Sequence, residues 1–297
     1  MIPDRRSPDE GSVPFRSGFA TLVGRPNVGK STLLNQILGT KVSIVSDKVQ
    51  TTRTQVRGVL THPDSQVVFV DTPGIHRPRS LLGERSNEAA TSSIADVDVV
   101  CMLVDATMTI GKGDRFVAAR TPKEALLVLN KCDAAAKTAV LDQLRRASEF
   151  DFSEYFPISA RTGEGVAELV EAIVRRLPVG PQYYPTDALS DTPETFWIAE
   201  LVREQLLSRT AEELPHSIAC RVTEYEDRED RGPYVRVEIL VERESQKPIV
   251  IGRGGALLKA VGTAVRAQMP AGSYVDLHVR VDKDWQRRPK SLDRLGY

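Results

Sequence analysis

Cysteine is scarce in this chain of 297 residues: Cys101, Cys132 and Cys220 are odd in number and far apart. That excludes a disulfide framework, and neither the cysteines nor the four histidines fall at metal-ligand spacings. Two of the thiols lie in or beside apolar runs and read as buried core groups, which fits a reducing cytoplasm. Long apolar runs are missing too; none approaches the roughly 18 residues that a membrane span needs. Positions 1–17 hold Arg5, Arg6, Arg16 and three prolines without an apolar core, so they read as a disordered extension and not a signal peptide. No sign of charge dominates: Lys+Arg and Asp+Glu are both 40, so bulk charge names no partner and its distribution must. A hydrophobic content of 41% and a charged content of 27% suit a globular chain, long enough for two domains with ordinary cores.

What is present begins at Thr21-Leu22-Val23-Gly24-Arg25-Pro26-Asn27-Val28-Gly29-Lys30-Ser31-Thr32. An apolar run breaks into Gly-x-x-x-x-Gly-Lys-Ser and resumes as Leu33-Leu34-Asn35-Gln36-Ile37-Leu38, the strand–loop–helix setting of a phosphate-binding P-loop. Gly24 and Gly29 let several N–H groups turn onto phosphate oxygens, and the following helix N-terminus favours an anion. Lys30 is expected between the β- and γ-phosphates, and the Ser31 hydroxyl on Mg²⁺. A chance glycine turn is the competing reading, and the flanking strand and helix argue against it.

Residues 18–177 alternate strand-like and helix-like segments. The apolar runs 66–70, 97–104, 124–129 and 155–158 each stop at a polar residue, namely Asp71, Asp105, Asn130 and Ser159. Buried parallel strands feeding a ligand edge have this form, so a mostly parallel, doubly wound α/β domain is expected. Prolines and glycines at 178–181 break the pattern, and 178–190 reads as an interdomain linker. Residues 191–297 then run helix, two alternating strands (217–222 and 234–242), a helical region including 256–268, and a final strand at 275–281: a smaller α+β domain.

Other strand ends must complete a nucleotide site. Asp71-Thr72-Pro73-Gly74 can hold Mg²⁺ through water and offer the Gly74 N–H to the γ-phosphate, although Asp-x-x-Gly is also a common turn. In Gln50-Thr51-Thr52-Arg53 a threonine hydroxyl, Thr52 in preference to Thr51, can complete the Mg²⁺ shell only while the third phosphate is present. Asn130-Lys131-Cys132-Asp133 names the base: a carboxylate at Asp133 accepts from both the ring N–H and the amine of guanine. Asn130 is expected at N7, the Lys131 stem over the ring, and a backbone N–H of Ser159-Ala160-Arg161 near the guanine carbonyl. Each fragment alone has a bland reading, a helix cap or a turn; their order at successive strand ends does not.

In the second domain, Ile251-Gly252-Arg253-Gly254-Gly255 lies between helical segments. A Gly-x-x-Gly turn lets a nucleic-acid backbone approach closely and clamp about four nucleotides, and the α-β-β-α-α-β order matches a type II KH fold. Residues 243–294 hold eleven Lys/Arg against five Asp/Glu, whereas 191–242 hold six against thirteen. The basic half carries the loop, as expected for RNA. Arg253 and Lys259 add phosphate attraction, and Lys283, Trp285, Arg287 and Arg288 are expected to extend the surface, with a core position the alternative for Trp285.

These motifs resemble the GTPases of the TRAFAC class. The Gln-Thr-Thr-Arg switch and the Arg-Pro-Asn-Val P-loop interior narrow the likeness to the translation-factor-related bacterial group. With the KH domain, residues 18–297 resemble its ribosome-assembly GTPases. The resemblance implies GTP hydrolysis, with Lys30, Thr52, Gly74 and Asn27 as catalytic groups and GTP/GDP and Mg²⁺ as ligands. Ile75 stands where other GTPases carry a water-orienting glutamine. Relatives with an asparagine at position 27 resemble potassium-activated GTPases, so Asn27 is a candidate K⁺ ligand or else a loop brace. Further implications are binding of the 3′ end of 16S rRNA during 30S subunit maturation, a monomeric state, and peripheral association with the inner face of the cell membrane. Two rival readings are an RNA-binding module that uses GTP only structurally and an RNA-modification GTPase, although no modifying domain is evident.

Overall fold

A computed structural model describes residues 14–48, 51–76, 78, 80–212, 214–228 and 231–297. Gln50 and the extension at 1–13 lie outside them. The first unit contains β1 (Arg16–Gly24), α1 (Lys30–Leu38), β2 (Val56–His62), β3 (Ser65–Asp71), α2 (Leu81–Ala95), β4 (Val99–Asp105), α3 (Lys112–Ala118), β5 (Leu126–Asn130), α4 (Lys137–Ala147), β6 (Glu154–Pro157) and α5 (Val166–Arg176). Its six strands run β2-β3-β1-β4-β5-β6, parallel except for the edge pair β2/β3. β3 and β4 are buried along their whole length because helices cover both faces. Leu33 and Leu34 of α1 and Leu169 and Ile173 of α5 pack one face; Ala90, Val117 and Ala147 of α2, α3 and α4 pack the other. Burial of each large apolar side chain contributes about 1.5–3 kcal/mol. Chain direction across the sheet reverses at β1, which puts the loop after β1 at the switch point where α/β sheets bind ligands.

Two boundaries differ from the sequence reading. β1 starts at Arg16, two residues before position 18, because Arg16 and Ser17 already pair with Ser65 and Gln66 of β3. Nor is 178–190 a free tether. Pro178 O accepts from Ser17 N (3.1 Å), Gly180 N donates to Phe15 O (3.1 Å), and Gln66 Oε1 accepts from the N–H groups of both Tyr183 and Tyr184. The Tyr183 ring lies 5.4 Å from that of Phe19. The segment is strapped across the ends of β1 and β3, and its backbone partners belong to the first unit.

The second unit holds α6 (Glu194–Arg209), α7 (Leu214–Ser217), β7 (Ala219–Glu226), β8 (Tyr234–Val241), α8 (Lys247–Ile251), α9 (Ala256–Arg266), β9 (Tyr274–Val281) and α10 (Pro289–Leu295). β8 is central, antiparallel to β7 and parallel to β9. Val235, Val237, Ile239 and Val241 point from β8 into a core shared with α6 and α9. By length and composition 244–266 could cross a membrane. Its helical path is broken at 252–255, however, where Gly254 leaves helical geometry, and it forms two short helices instead.

Candidate functional site

Lys30 opens α1 directly beneath the β1 loop. It is buried, and its Nζ donates to Arg25 O at 3.1 Å and Gly24 O at 3.4 Å. Burial lowers its pKa to about 8, against the attraction of Asp71. A buried ammonium held by two neutral carbonyls is a ready partner for phosphate. Ser31 follows, and its Oγ donates to Asp71 Oδ2 at 2.7 Å and lies 3.0 Å from Thr52 Oγ1. Thr52 Oγ1 is itself 3.5 Å from Asp71 Oδ2. Three residues picked from separate loops therefore meet within one small polar cluster.

Ser43 was missed by the sequence reading. It is buried, donates to Asp71 Oδ2 at 2.9 Å, and is fixed by Asn35, whose side chain bonds its N–H and C=O. A serine in an irregular stretch carries no motif, so nothing in the sequence marks it. Burial pushes the Asp71 carboxyl above its ordinary range, opposed by Lys30 and by the Ser31, Ser43 and Thr52 hydroxyls. Asp71 Oδ1 is buried without a hydrogen-bond partner among the described residues. A buried carboxylate with one free oxygen, ringed by hydroxyls, is a hard donor set that suits Mg²⁺.

Gly74 is needed here for space: a Cβ would stand 2.7–2.9 Å from Pro26 atoms. The turn after β3 thus lies directly against the P-loop. Thr72 is buried and donates to Leu22 O, bracing β1. The cleft is lined by Pro26, Asn27, Lys30, Ser31, Thr52 and Gly74, and Ile44, Val45 and Ser46 add a wall that no motif announced. Ile75 is buried in the core beside β1, so its side chain cannot face the cleft.

At the other end, Asn130 has partners within the protein besides the base contact expected of it. Its Nδ2 donates to Val28 O and its Oδ1 accepts from Ala160 N, both at 2.9 Å. It is first a strut joining three loops, with only its second Nδ2 proton left for a base. Lys131, in left-handed backbone geometry, reaches across to Asn27 O (2.7 Å) and Asp105 Oδ2 (2.6 Å). Asp105 was read only as a strand end. Burial would raise its pKa, but hydrogen bonds from Lys131 and Thr107 hold it below the ordinary range. Asp133 accepts from Ser159 Oγ at 2.7 Å and pairs with Arg161 at 2.8 Å; these contacts, the serine foremost, keep it ionised. Arg161 is 77% exposed, so the pair yields easily to a ligand. Asn27 has positive φ and donates to Asp47 O at 2.6 Å, a loop-bracing contact.

In the second unit, 252–255 turns α8 into α9. Gly252 has φ +75°, and a Cβ there would lie 2.7 Å from Leu257 N, so only glycine fits. Arg253 and Lys259 are exposed and Ile251 is half-buried beside them. Trp285 is a correction: it is fully buried, donates to Ser217 O at 2.9 Å, and packs with Leu82, Leu292 and Leu295 between the two units. Its neighbours are core side chains, so it offers no surface to nucleic acid. Lys283, Arg287 and Arg288 are all exposed, and Arg288 also pairs with Asp282.

Fold and site together define a P-loop GTPase joined to a type II KH module. The family described as "50S ribosome-binding GTPase" matches residues 19–131, and the KH domain family matches 213–286. The chain is 47% identical to the GTPase Era of Mycobacterium avium over 95% of its length and 99% of the relative's. It is 45% identical to that of Geobacter metallireducens over 96% and 98%. A crystal structure of Era in complex with MgGDPNP and nucleotides 1506–1542 of 16S ribosomal RNA matches with a TM-score of 0.91, 37% identity and 95% and 99% coverage. An Aquifex aeolicus Era variant bound to GDP and AlF4⁻ matches with a TM-score of 0.90 at the same identity and coverage. The chain belongs to the GTPase Era family, and it is a GTPase.

Proposed function

We propose that this chain is a GTP-hydrolysing switch whose KH module binds the 3′ end of 16S rRNA and assists 30S subunit maturation. In the nucleotide site, Lys30 and the loop N–H groups of residues 24–32 take the β- and γ-phosphates, and the Gly74 N–H faces the γ-phosphate. Mg²⁺, held by Ser31, Thr52 and Asp71, supplies neutralisation of phosphate charge when bound. Asp133 selects guanine by accepting two N–H groups, Lys131 covers the ring, and the 159–161 loop meets the guanine carbonyl. Loss of the third phosphate frees Thr52 and Gly74, relaxing both switch segments. Since Ile75 is buried, water is oriented by other groups. The Asn27–Asp47 contact leaves Asn27 Oδ1 as the atom that would face a K⁺ ion.

The observation that carries the RNA reading is the 252–255 loop, open to solvent on the basic half of its module and flanked by exposed Arg253 and Lys259. The small-subunit RNA in the matching Era complex supports it, whereas the name of the GTPase family model, which mentions 50S, speaks only for the first unit. We place residues 16–177 in the G domain, with 178–190 strapped to it, and 191–297 in the KH domain, and take the protein as a cytoplasmic monomer with peripheral attachment to the inner membrane face. Gly255→Asp tests the RNA reading, because the added charge should repel phosphate; a Cβ there meets nothing within 4 Å, but the φ of +79° strains any side chain, so a melting curve must first show the variant folded. Filter binding to a 16S 3′-terminal RNA should show loss of RNA affinity with GDP affinity unchanged. Retained RNA binding, or joint loss of both, would mean that the loop is wrongly assigned.

A further inference from the structure

Thr52 is flanked by two anchors, and both lie in the KH module. On one side, the carbonyl of Thr51 accepts from Arg203 of α6. Arg203 is fully buried and is gripped by Glu200 through Nε (2.7 Å) and Nη2 (2.5 Å). On the other side, the Arg53 side chain leaves the first unit altogether. It is 4% exposed, and it donates to Ile218 O at 2.6 Å, His216 O at 3.1 Å and Pro215 O at 3.5 Å. Its guanidinium sits 5.4 Å from the Trp285 ring centroid and 5.7 Å from that of Tyr297. Glu204 of α6 adds a third tie, accepting from Val45 N at 3.0 Å.

The segment after the other switch meets the same place. Leu82 of α2 packs with Trp285, Leu292 and Leu295, and Arg85 reaches Asp293 (2.7 Å) and Tyr297 O (2.6 Å). Arg53 Nε and Arg203 Nη1 are buried without partners among the described residues. Native structures leave few buried polar nitrogens unpaired, and two of them meet at this junction.

We propose that Arg53 is a positioning residue through which the KH module, assisted by Arg203, sets the place of the Thr52 hydroxyl and so couples the triphosphate state to the RNA-binding domain. Successive Cα atoms are 3.8 Å apart, so the backbone of Thr52 cannot move far from the Ser31–Asp71 cluster without drawing on one anchor. Withdrawing a buried guanidinium from three carbonyls and two rings is an all-or-none event, which makes the segment bistable. The route runs through these side chains and not along 178–190, which is bound to the first unit. Coupling is reciprocal: whatever factor the triphosphate adds to RNA affinity, RNA adds to triphosphate affinity. The proposal rests on Thr52 acting only in the triphosphate state.

The test uses full-length Arg53→Met, which keeps the stem without the donors, and Arg53→Lys, which keeps charge and one donor. Affinities for GDP and for a non-hydrolysable GTP analogue are measured with Mg²⁺, alongside hydrolysis and amide exchange of segment 51–57. Arg53→Met should weaken analogue binding and lower kcat at least tenfold, leave GDP affinity within twofold, and speed exchange; Arg53→Lys should fall between. A purely cohesive role would lower the melting temperature and leave the analogue-to-GDP ratio at its wild-type value in both variants, which overturns the proposal. This arm needs no RNA, so its outcome is separate from the KH reading. The RNA arm asks whether the wild-type difference in 16S RNA affinity between analogue and GDP states disappears in Arg53→Met; an unchanged difference also overturns the proposal.

Discussion

Asn130 donates from Nδ2 to the carbonyl of Val28 at 2.9 Å, so the end of β5 is clamped to the P-loop. The same amide accepts from Ala160 N. Phosphate loop and base loops are thus one mechanical unit.

Asn130→Ala should therefore do more than weaken base contact. It leaves Val28 O and Ala160 N unpaired in a buried place, at about 1–3 kcal/mol each. Fluorescent GDP and GTP analogues should both lose affinity, by tenfold or more, with a lower melting temperature. Loss confined to the triphosphate would contradict the strut.

Lys30 gives nucleotide affinity a pH dependence. In the free protein its pKa is lowered to about 8 by burial, whereas bound phosphate keeps it protonated. Affinity should hold below pH 8 and fall as pH rises beyond it, by up to tenfold per unit, with proton uptake on binding. Calorimetry in buffers of different ionisation enthalpy reads both. The free protein shows the opposite trend: its unfolded chain binds the extra proton between pH 8 and the ordinary lysine value of 10.5, so this residue's contribution to stability rises over that range.

Trp285→Ala separates core from RNA surface. Removal of a fully buried indole should cost about 3–5 kcal/mol of stability, seen in a denaturant melt. Lys283→Ala and Arg287→Ala, at exposed positions, should change stability by less than about 0.5 kcal/mol. Either one should also reduce the salt dependence of RNA binding.

The parallel strands, the P-loop and the loops at Asp71, Asn130 and Ser159 were legible because each combines an apolar run with a chemically distinctive stop. β2 and α2 were not. β2 is a half-buried edge strand, and Val56-Arg57-Gly58-Val59 has no clean alternation. α2 carries a glycine and three serines in a helix of little apolar contrast, announced only by its Ser80 cap. Segment 178–190 reads as a tether by composition; its strap is made by Gln66 and backbone groups, which leave no local mark. Arg53 and Arg203 read as ordinary charged residues, since their burial depends on two units meeting.

The assignment of Asp133 to the base is the claim on which the nucleotide reading turns, and Asp133→Asn tests it most directly. Steady-state hydrolysis of GTP and xanthosine triphosphate should show a loss of GTP turnover and a gain with the xanthine nucleotide, because the amide now donates where the carboxylate accepted. Unchanged preference for GTP, or loss of both activities in a folded protein, would contradict the account.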